Sequence, residues 1–205
     1  MAEKFKLTVI GAGPGGYVAA IRAAQLGIKT AIVEREYFGG VCLNWGCIPS
    51  KTLLHVTELK RHVEEAKRIG LKADNVSIDL DLLRKHKETT VKRLTGGVKM
   101  LLDKAGVKSF MGTARFLSPT QIEVANDTTK TEIESEYFII ATGAHPMQLP
   151  MLKQDGKVIF GARESIDVPN VPGEMLVVGA GPIGVEMATS ALRISFAFAS
   201  SAVRS

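Results

Sequence analysis

One glycine pattern occurs twice in this chain and constrains it more than anything else. Residues 11–16 read Gly-Ala-Gly-Pro-Gly-Gly and residues 179–184 read Gly-Ala-Gly-Pro-Ile-Gly. Each copy follows a short apolar run and precedes a helical pattern. In such a setting the first glycine makes a tight turn, the second lets the backbone approach a pyrophosphate, and the third lets the helix pack close to its strand. For the first copy the context is full: an apolar run at residues 5–10, the turn with Gly11, Gly13, Pro14, Gly15 and Gly16, an alanine-rich helix over 17–26, and a strand at 29–33 ending at Glu34. An acid about twenty residues beyond the turn is placed to hold a ribose hydroxyl, and its charge argues against a 2'-phosphate there. The pattern predicts a doubly wound, Rossmann-like α/β domain that binds a dinucleotide. In the second copy, residues 174–178 read as the strand, Gly179, Gly181 and Gly184 as the turn, and Glu186 follows at once. Glu186 is open to a plainer reading, as a charge near a helix start stabilised by the dipole.

Between the copies, residues 39–54 hold both cysteines, Cys42 and Cys47, and the single tryptophan. Five positions along a regular helix separate Cα atoms by about 7.5 Å, beyond the roughly 4.4 to 6.8 Å that a disulfide spans. A bridge therefore requires a bend, for which Gly39, Gly40, Asn44 and Gly46 supply freedom. Pro49 and Ser50 suit the first turn of the next helix. Cys47 then lies at a helix N-terminus, where unpaired amides and the macrodipole favour a thiolate, and Lys51 adds positive charge one turn on. That arrangement suits reversible dithiol chemistry. Two ordinary buried cysteines remain an alternative. Metal is disfavoured, because the spacing matches no common zinc pattern and the four histidines lie singly.

The remaining composition narrows the field. A hydrophobic share of 45% and a charged share of 23% are those of a soluble globular chain. No apolar run reaches membrane-spanning length and no signal peptide is evident, so a cytoplasmic location is expected, with no membrane partner. The net charge of +5 comes from residues 51–108, where 14 Lys or Arg face 8 Asp or Glu. Those charges alternate with acids and apolar positions, the pattern of solvated helices, and no nucleic-acid partner is expected.

Two long helices are expected over about 49–68 and 80–105, the second capped by Asp79 or Asp81 and interrupted at Gly96-Gly97. Short strands at 108–111, 115–117, 121–124 and 130–133 read as a small antiparallel meander. A buried strand at 137–140 leads into Ala141-Thr142-Gly143, and His145 there reads as a surface residue. Residues 147–173 read as a connector. The expected division is thus a dinucleotide domain over 1–146, the connector, the start of a second such domain over 174–192, and an atypical tail over 193–205.

Gly-Gly-Val-Cys-Leu-Asn-Trp-Gly-Cys-Ile-Pro-Ser-Lys closely resembles the active-site signature of the pyridine nucleotide-disulfide oxidoreductases, and its Leu-Asn and Ile-Pro-Ser-Lys choices are similar to the dihydrolipoamide dehydrogenase branch. The resemblance implies a redox-active Cys42–Cys47 disulfide, FAD on the first glycine turn, NAD on the second, and transfer of electrons from dihydrolipoamide through disulfide and flavin to NAD+. By matching positions it assigns flavin contacts to Gly11, Gly13, Pro14, Gly15, Gly16, Glu34, Arg35, Gly40, Val41, Cys42 and Lys51. It adds Gly112 and Ala114 near adenine, and Ala141, Thr142 and Gly143 at a later turn. It pairs Glu186 with Lys51 and gives Gly179, Gly181 and Gly184 to NAD. The partners it implies are the lipoyl group of a 2-oxoacid dehydrogenase or glycine cleavage complex, and a second copy of the intact chain in a homodimer. The likeness runs over residues 5 to about 192. The later sequence departs from it, and no histidine matches the family's base, so a truncated or frameshifted chain, inactive alone, is expected. A mercuric or glutathione reductase and a non-catalytic nucleotide-binding fragment are the competing readings.

Overall fold

The computed structural model describes residues 2–167 and 173–195. The chain divides into two compact units, residues 1–44 with 91–145, and residues 45–90 with 146–205.

The first unit is built on a six-stranded mixed sheet. In chain order it contains β1 (Glu3–Ile10), α1 (Pro14–Gln25), β2 (Thr30–Glu34) and most of α2 (Gly40–Trp45). The C-terminal part of α4 (Leu80–Lys104) follows, then β3 (Lys108–Met111), β4 (Thr113–Ser118), β5 (Gln121–Ala125) and β6 (Lys130–Ile140). The sheet order is β3-β2-β1-β6-β5-β4. β1 pairs in parallel with β2 on one side and β6 on the other. The chain therefore leaves β1 in one direction and later returns on the opposite side, which makes the C-terminal end of β1 a topological switch point, where open α/β sheets bind ligands. The four consecutive buried residues Leu7 to Ile10 of β1 suit a parallel strand covered on both faces. Phe5, Ile10, Ala31, Val33, Ile122, Val124 and Ile133 form one buried cluster. Phe110 packs edge-on to Phe5, with ring centres 5.9 Å apart. The buried Thr8 and Ser135 hydroxyls satisfy one another at 2.5 Å across β1 and β6.

The meander differs from expectation. Residues 108–111 are not its first strand, because β3 pairs in parallel with β2. A four-residue apolar run shows that a strand forms but not which strand it joins; here the crossover through α4 delivers it to the open edge of β2. The strands expected separately at 130–133 and 137–140 are one strand, β6, which pairs with β5 over residues 130–134 and with β1 over residues 133–140. The charged stretch between them continues the alternation, and Ser135 finds a buried partner.

The second unit contains α3 (Cys47–Glu65), a 3-10 turn (Ala66–Ile69), the start of α4, α5 (Ala162–Ile166) and α6 (Pro182–Ser195). Asp79 Oδ1 accepts the amides of Asp81 and Leu82, each at 3.0 Å, and so caps α4. α4 is a single helix of 25 residues, uninterrupted at Gly96-Gly97. Two glycines cost about 2 kcal/mol in helix propensity, too little to break a helix this long. α3 packs on α6, and two buried lysines tie helix ends in place. Lys60 Nζ donates to Arg193 O at 3.1 Å, and Lys87 Nζ donates to Ile166 O at 3.2 Å and pairs with Asp167.

The stretch read as a connector contains α5. One further expectation changes here. Residues 174–178 form no strand: a strand exists only through its ladder partners, and among the described residues this segment pairs with none. The tail expected over 193–205 begins inside α6, and from residue 196 onward it lies outside the described residues.

Candidate functional site

At the end of β1 the chain turns on Gly11, whose φ of 102° is open to glycine. Its amide donates to Val33 O at 2.7 Å, and the Ala141 amide donates to Ile10 O at 2.7 Å. A Cβ on Gly11 would collide with the Ala141 carbonyl, and one on Gly16 with the Gly11 carbonyl. Gly40 (φ 58°) approaches so closely that its Cβ would lie 2.6 Å from Gly13 Cα. The Gly39 amide donates to Ala12 O at 2.9 Å. Backbone thus packs on backbone around the turn, while Pro14 and Gly15 are exposed. No side chain caps α1 and no acid stands in its first turn, leaving its N-terminal amides and dipole for an anion such as a pyrophosphate.

Glu34 closes the same site. Its Oε2 accepts the Ala12 amide at 2.7 Å and its Oε1 the Glu36 amide at 2.8 Å. A carboxylate has about four acceptor positions, so capacity remains for ribose hydroxyls. The Glu34 carbonyl accepts the Gly112 amide at 2.8 Å, bringing the β3–β4 corner to the end of β2. Gly112 has φ 151°, and a Cβ there would lie 2.6 Å from Ala125 O. Ala114 is half-buried. Ala141 flanks Gly11, whereas Thr142, Gly143 and Arg35 are exposed. Gly40, Val41 and Cys42 open α2, with Val41 exposed and Cys42 half-buried. His145 is exposed.

Asn44 has a different role from the one expected. Rather than bending the chain it lies within α2, and its Nδ2 donates to Phe38 O at 3.0 Å and Gly40 O at 2.9 Å. The helix breaks instead at Gly46 (φ −133°, ψ −115°). Sequence reading also missed a cleft of about 350 Å³ lined by Tyr37, Phe38, Asn44, Lys92, Thr95 and Lys99. In the sequence, α4 shows only an amphipathic pattern, with nothing to say what its polar face meets.

In the second unit, Cys47 is the first residue of α3 and is exposed. No side chain caps α3 and its first turn has no acid. Ser50 Oγ donates to Gly46 O at 2.8 Å, steadying that turn. Lys51, one turn after Cys47, donates through Nζ to Glu186 Oε1. The Glu186 side chain is 25% exposed and that of Lys51 61%. Glu186 is the fifth residue of α6, past the first-turn position that dipole stabilisation alone would use. Gly179 has φ 111°, and a Cβ on Gly184 would collide with the Gly179 carbonyl, whereas Gly181 is exposed with open space around it. The Arg163 guanidinium lies 5.0 Å from the centre of the Trp45 ring. No group of three or more His, Cys, Asp or Glu suited to a metal occurs among the described residues, and no helix there is long and apolar enough to cross a membrane.

Comparison with known proteins follows the same lines. The chain is 44% identical to dihydrolipoyl dehydrogenase of Zymomonas mobilis over 92% of its length and 41% of the relative's. It is 38% identical to dihydrolipoyl dehydrogenase of Bacillus subtilis over 92% of its length and 42% of the relative's. It thus spans about two-fifths of the curated relatives it matches. In fold it is similar to the HOCl-induced flavoprotein disulfide reductase RclA of Escherichia coli, with a TM-score of 0.76 over 93% of this chain and 40% of that one, at 24% identity. The model of the pyridine nucleotide-disulphide oxidoreductases matches residues 5–197, and the chain belongs to that family.

Proposed function

We propose that this chain carries the flavin-binding and dithiol part of a dihydrolipoyl dehydrogenase, which oxidises dihydrolipoamide with NAD+ as the final acceptor. The observation that carries the reading is Cys47 at the uncapped start of α3, with Lys51 one turn on and paired to Glu186. The lipoyl group of a 2-oxoacid dehydrogenase or glycine cleavage complex is the proposed substrate, and a homodimer of the full-length protein the proposed assembly.

FAD fits the first turn, where the packed glycines leave no room for side chains, the α1 amides face an anion, and Glu34 keeps acceptor capacity for a ribose. When bound, FAD supplies a two-electron carrier between the dithiol and a nicotinamide. The second turn has the glycines for another dinucleotide, but residues 175–178 lack a strand to hold it, so the described residues do not build a nicotinamide site.

The chain's own residues then act as follows. A substrate thiolate attacks the Cys42 sulfur of a Cys42–Cys47 disulfide, the S–S bond breaks, and the bonding pair leaves on Cys47. The dipole at the uncapped start of α3 favours negative charge there, and Lys51 adds positive charge one turn on. Glu186 holds the Lys51 ammonium in a fixed position. The second substrate thiol then loses its proton and displaces Cys42, giving a cyclic disulfide product, a Cys42 thiol and a Cys47 thiolate, so that two electrons and the one proton of that thiol are delivered to the protein.

Peptide mapping under non-reducing conditions tests the dithiol: one Cys42–Cys47 bridge, reversed by dithiothreitol, is expected. Two cysteines that stay alkylatable after mild oxidation would refute it. For the flavin, Glu34→Ala should weaken FAD binding at least about tenfold in a fluorescence titration, as expected for a lost charged hydrogen bond.

A further inference from the structure

We propose that Arg163 is a positioning residue for the Cys47 thiol, acting through Trp45. The inference rests on the reading of Cys47 as a reactive thiol. Trp45, Gly46 and Cys47 form the corner at which α2 ends and α3 begins. A corner made by a glycine has no side chain of its own to hold it, so its geometry is set by what clamps its neighbours. On the Cys47 side the clamp is Ser50, whose hydroxyl and amide both donate to Gly46 O, at 2.8 and 3.1 Å. On the other side it is Arg163, whose guanidinium lies over the half-buried Trp45 ring at 5.0 Å, inside the range for a cation–π contact.

The clamp is itself anchored. Arg163 is the second residue of α5, whose start is closed by the Gly161 amide donating to Glu164 Oε2 at 2.9 Å. The other end of α5 is fixed by the buried Lys87 of α4, which donates to Ile166 O at 3.2 Å and pairs with Asp167. A five-residue helix is marginal alone, so this anchoring is what turns a surface arginine into a fixed charge. Stacking on a planar ring suits arginine because its guanidinium is planar and weakly hydrated. Trp45 therefore holds the corner only while α5 stays docked. With Arg163 removed, the corner samples other conformers and Cys47 spends less time in its fixed place at the uncapped start of α3.

The chain has one tryptophan, so its emission reports on the surroundings of Trp45 alone. In the full chain with Cys42→Ser, leaving Cys47 as the single thiol, the rate of Cys47 alkylation by N-ethylmaleimide and the Trp45 emission are measured together. Arg163→Ala should red-shift the emission and slow alkylation roughly two- to fivefold, the factor that a single exposed cation–π contact converts to. Arg163→Lys, which keeps the charge over the ring, should recover part of both. Trp45→Phe should keep the alkylation rate within about twofold of the parent, while Trp45→Ala reproduces the slowing. Far-UV circular dichroism confirms that each variant is folded. Alkylation unchanged or faster in folded Arg163→Ala overturns the proposal, as does slowing that Arg163→Lys fails to relieve. The wild-type disulfide map is independent of this result: altered alkylation without a bridge in that map would leave the clamp standing and remove the redox reading.

Discussion

The two glycine turns share a sequence pattern and a local geometry, yet only one is built into a sheet. Gly11 and Gly179 have φ of 102° and 111°, and the third glycine of each turn is pressed against the carbonyl of its first. Each is followed by a helix that begins at the proline, α1 at Pro14 and α6 at Pro182. The runs before them diverge. β1 has Val9 fully buried between two parallel neighbours, whereas Leu176 is 89% exposed in a segment without ladder partners. The turn and helix start are properties of a few contiguous residues. A strand is a property of its neighbours, and its apolar residues repay burial only when a sheet is there to receive them.

The largest effect should come from Gly11→Ala. Its Cβ would meet the Ala141 carbonyl and its φ is unsuited to alanine, so about 3 kcal/mol should be lost from backbone strain and overpacking. That is a large share of a typical domain's stability, and urea unfolding followed by circular dichroism reads it. Gly179→Ala has the same φ problem but open space around the new Cβ, so only about 1 to 2 kcal/mol is expected. Equal losses at the two positions would mean that the sheet contributes nothing to the difference between the turns.

Lys51→Met should change stability by at most about 1 kcal/mol, because the lysine of the Lys51–Glu186 pair is largely exposed. It should nonetheless slow Cys47 alkylation, separating a chemical role from a structural one. The smallest effect concerns the segment leading to the second turn. Hydrogen bonds from the amides of Ile159, Lys157 and Val158 hold the exposed Asp155 carboxyl below the ordinary aspartate range. A lowered folded value means stability that is present above the unfolded value and lost as pH falls through the folded one. The difference in urea midpoint between wild type and Asp155→Ala should therefore be seen at neutral pH and fade in acid. A difference that grew in acid would contradict the assignment.

Much of the candidate site could be read from the chain because its requirements are local. A glycine where φ must be positive, an acid at the end of the next strand, and a cysteine opening a helix with lysine one turn on are each fixed within a few residues. The Lys51–Glu186 contact spans 135 positions, and there the residues alone left two readings open; the family resemblance named the pair. Nothing in the sequence pointed to Arg163 over Trp45, because neither residue belongs to a motif and a cation–π contact leaves no spacing signal.

By itself, then, the sequence determined the α/β class, both glycine turns with a helix after the first, and a bend between the two cysteines, while the structure placed the helix starts at Pro14 and Pro182 and the break at Gly46. Only the tertiary structure decided that residues 108–111 join β2 rather than the meander, that 130–140 is one strand, that α4 runs straight through Gly96-Gly97, and that 174–178 has no ladder. The division follows from the range of the interactions. Turn and cap preferences act within about four residues and are written in the residue types. Strand pairing depends on which edge the chain can reach and on what else is there to be buried, and the residues of a short run carry no record of either.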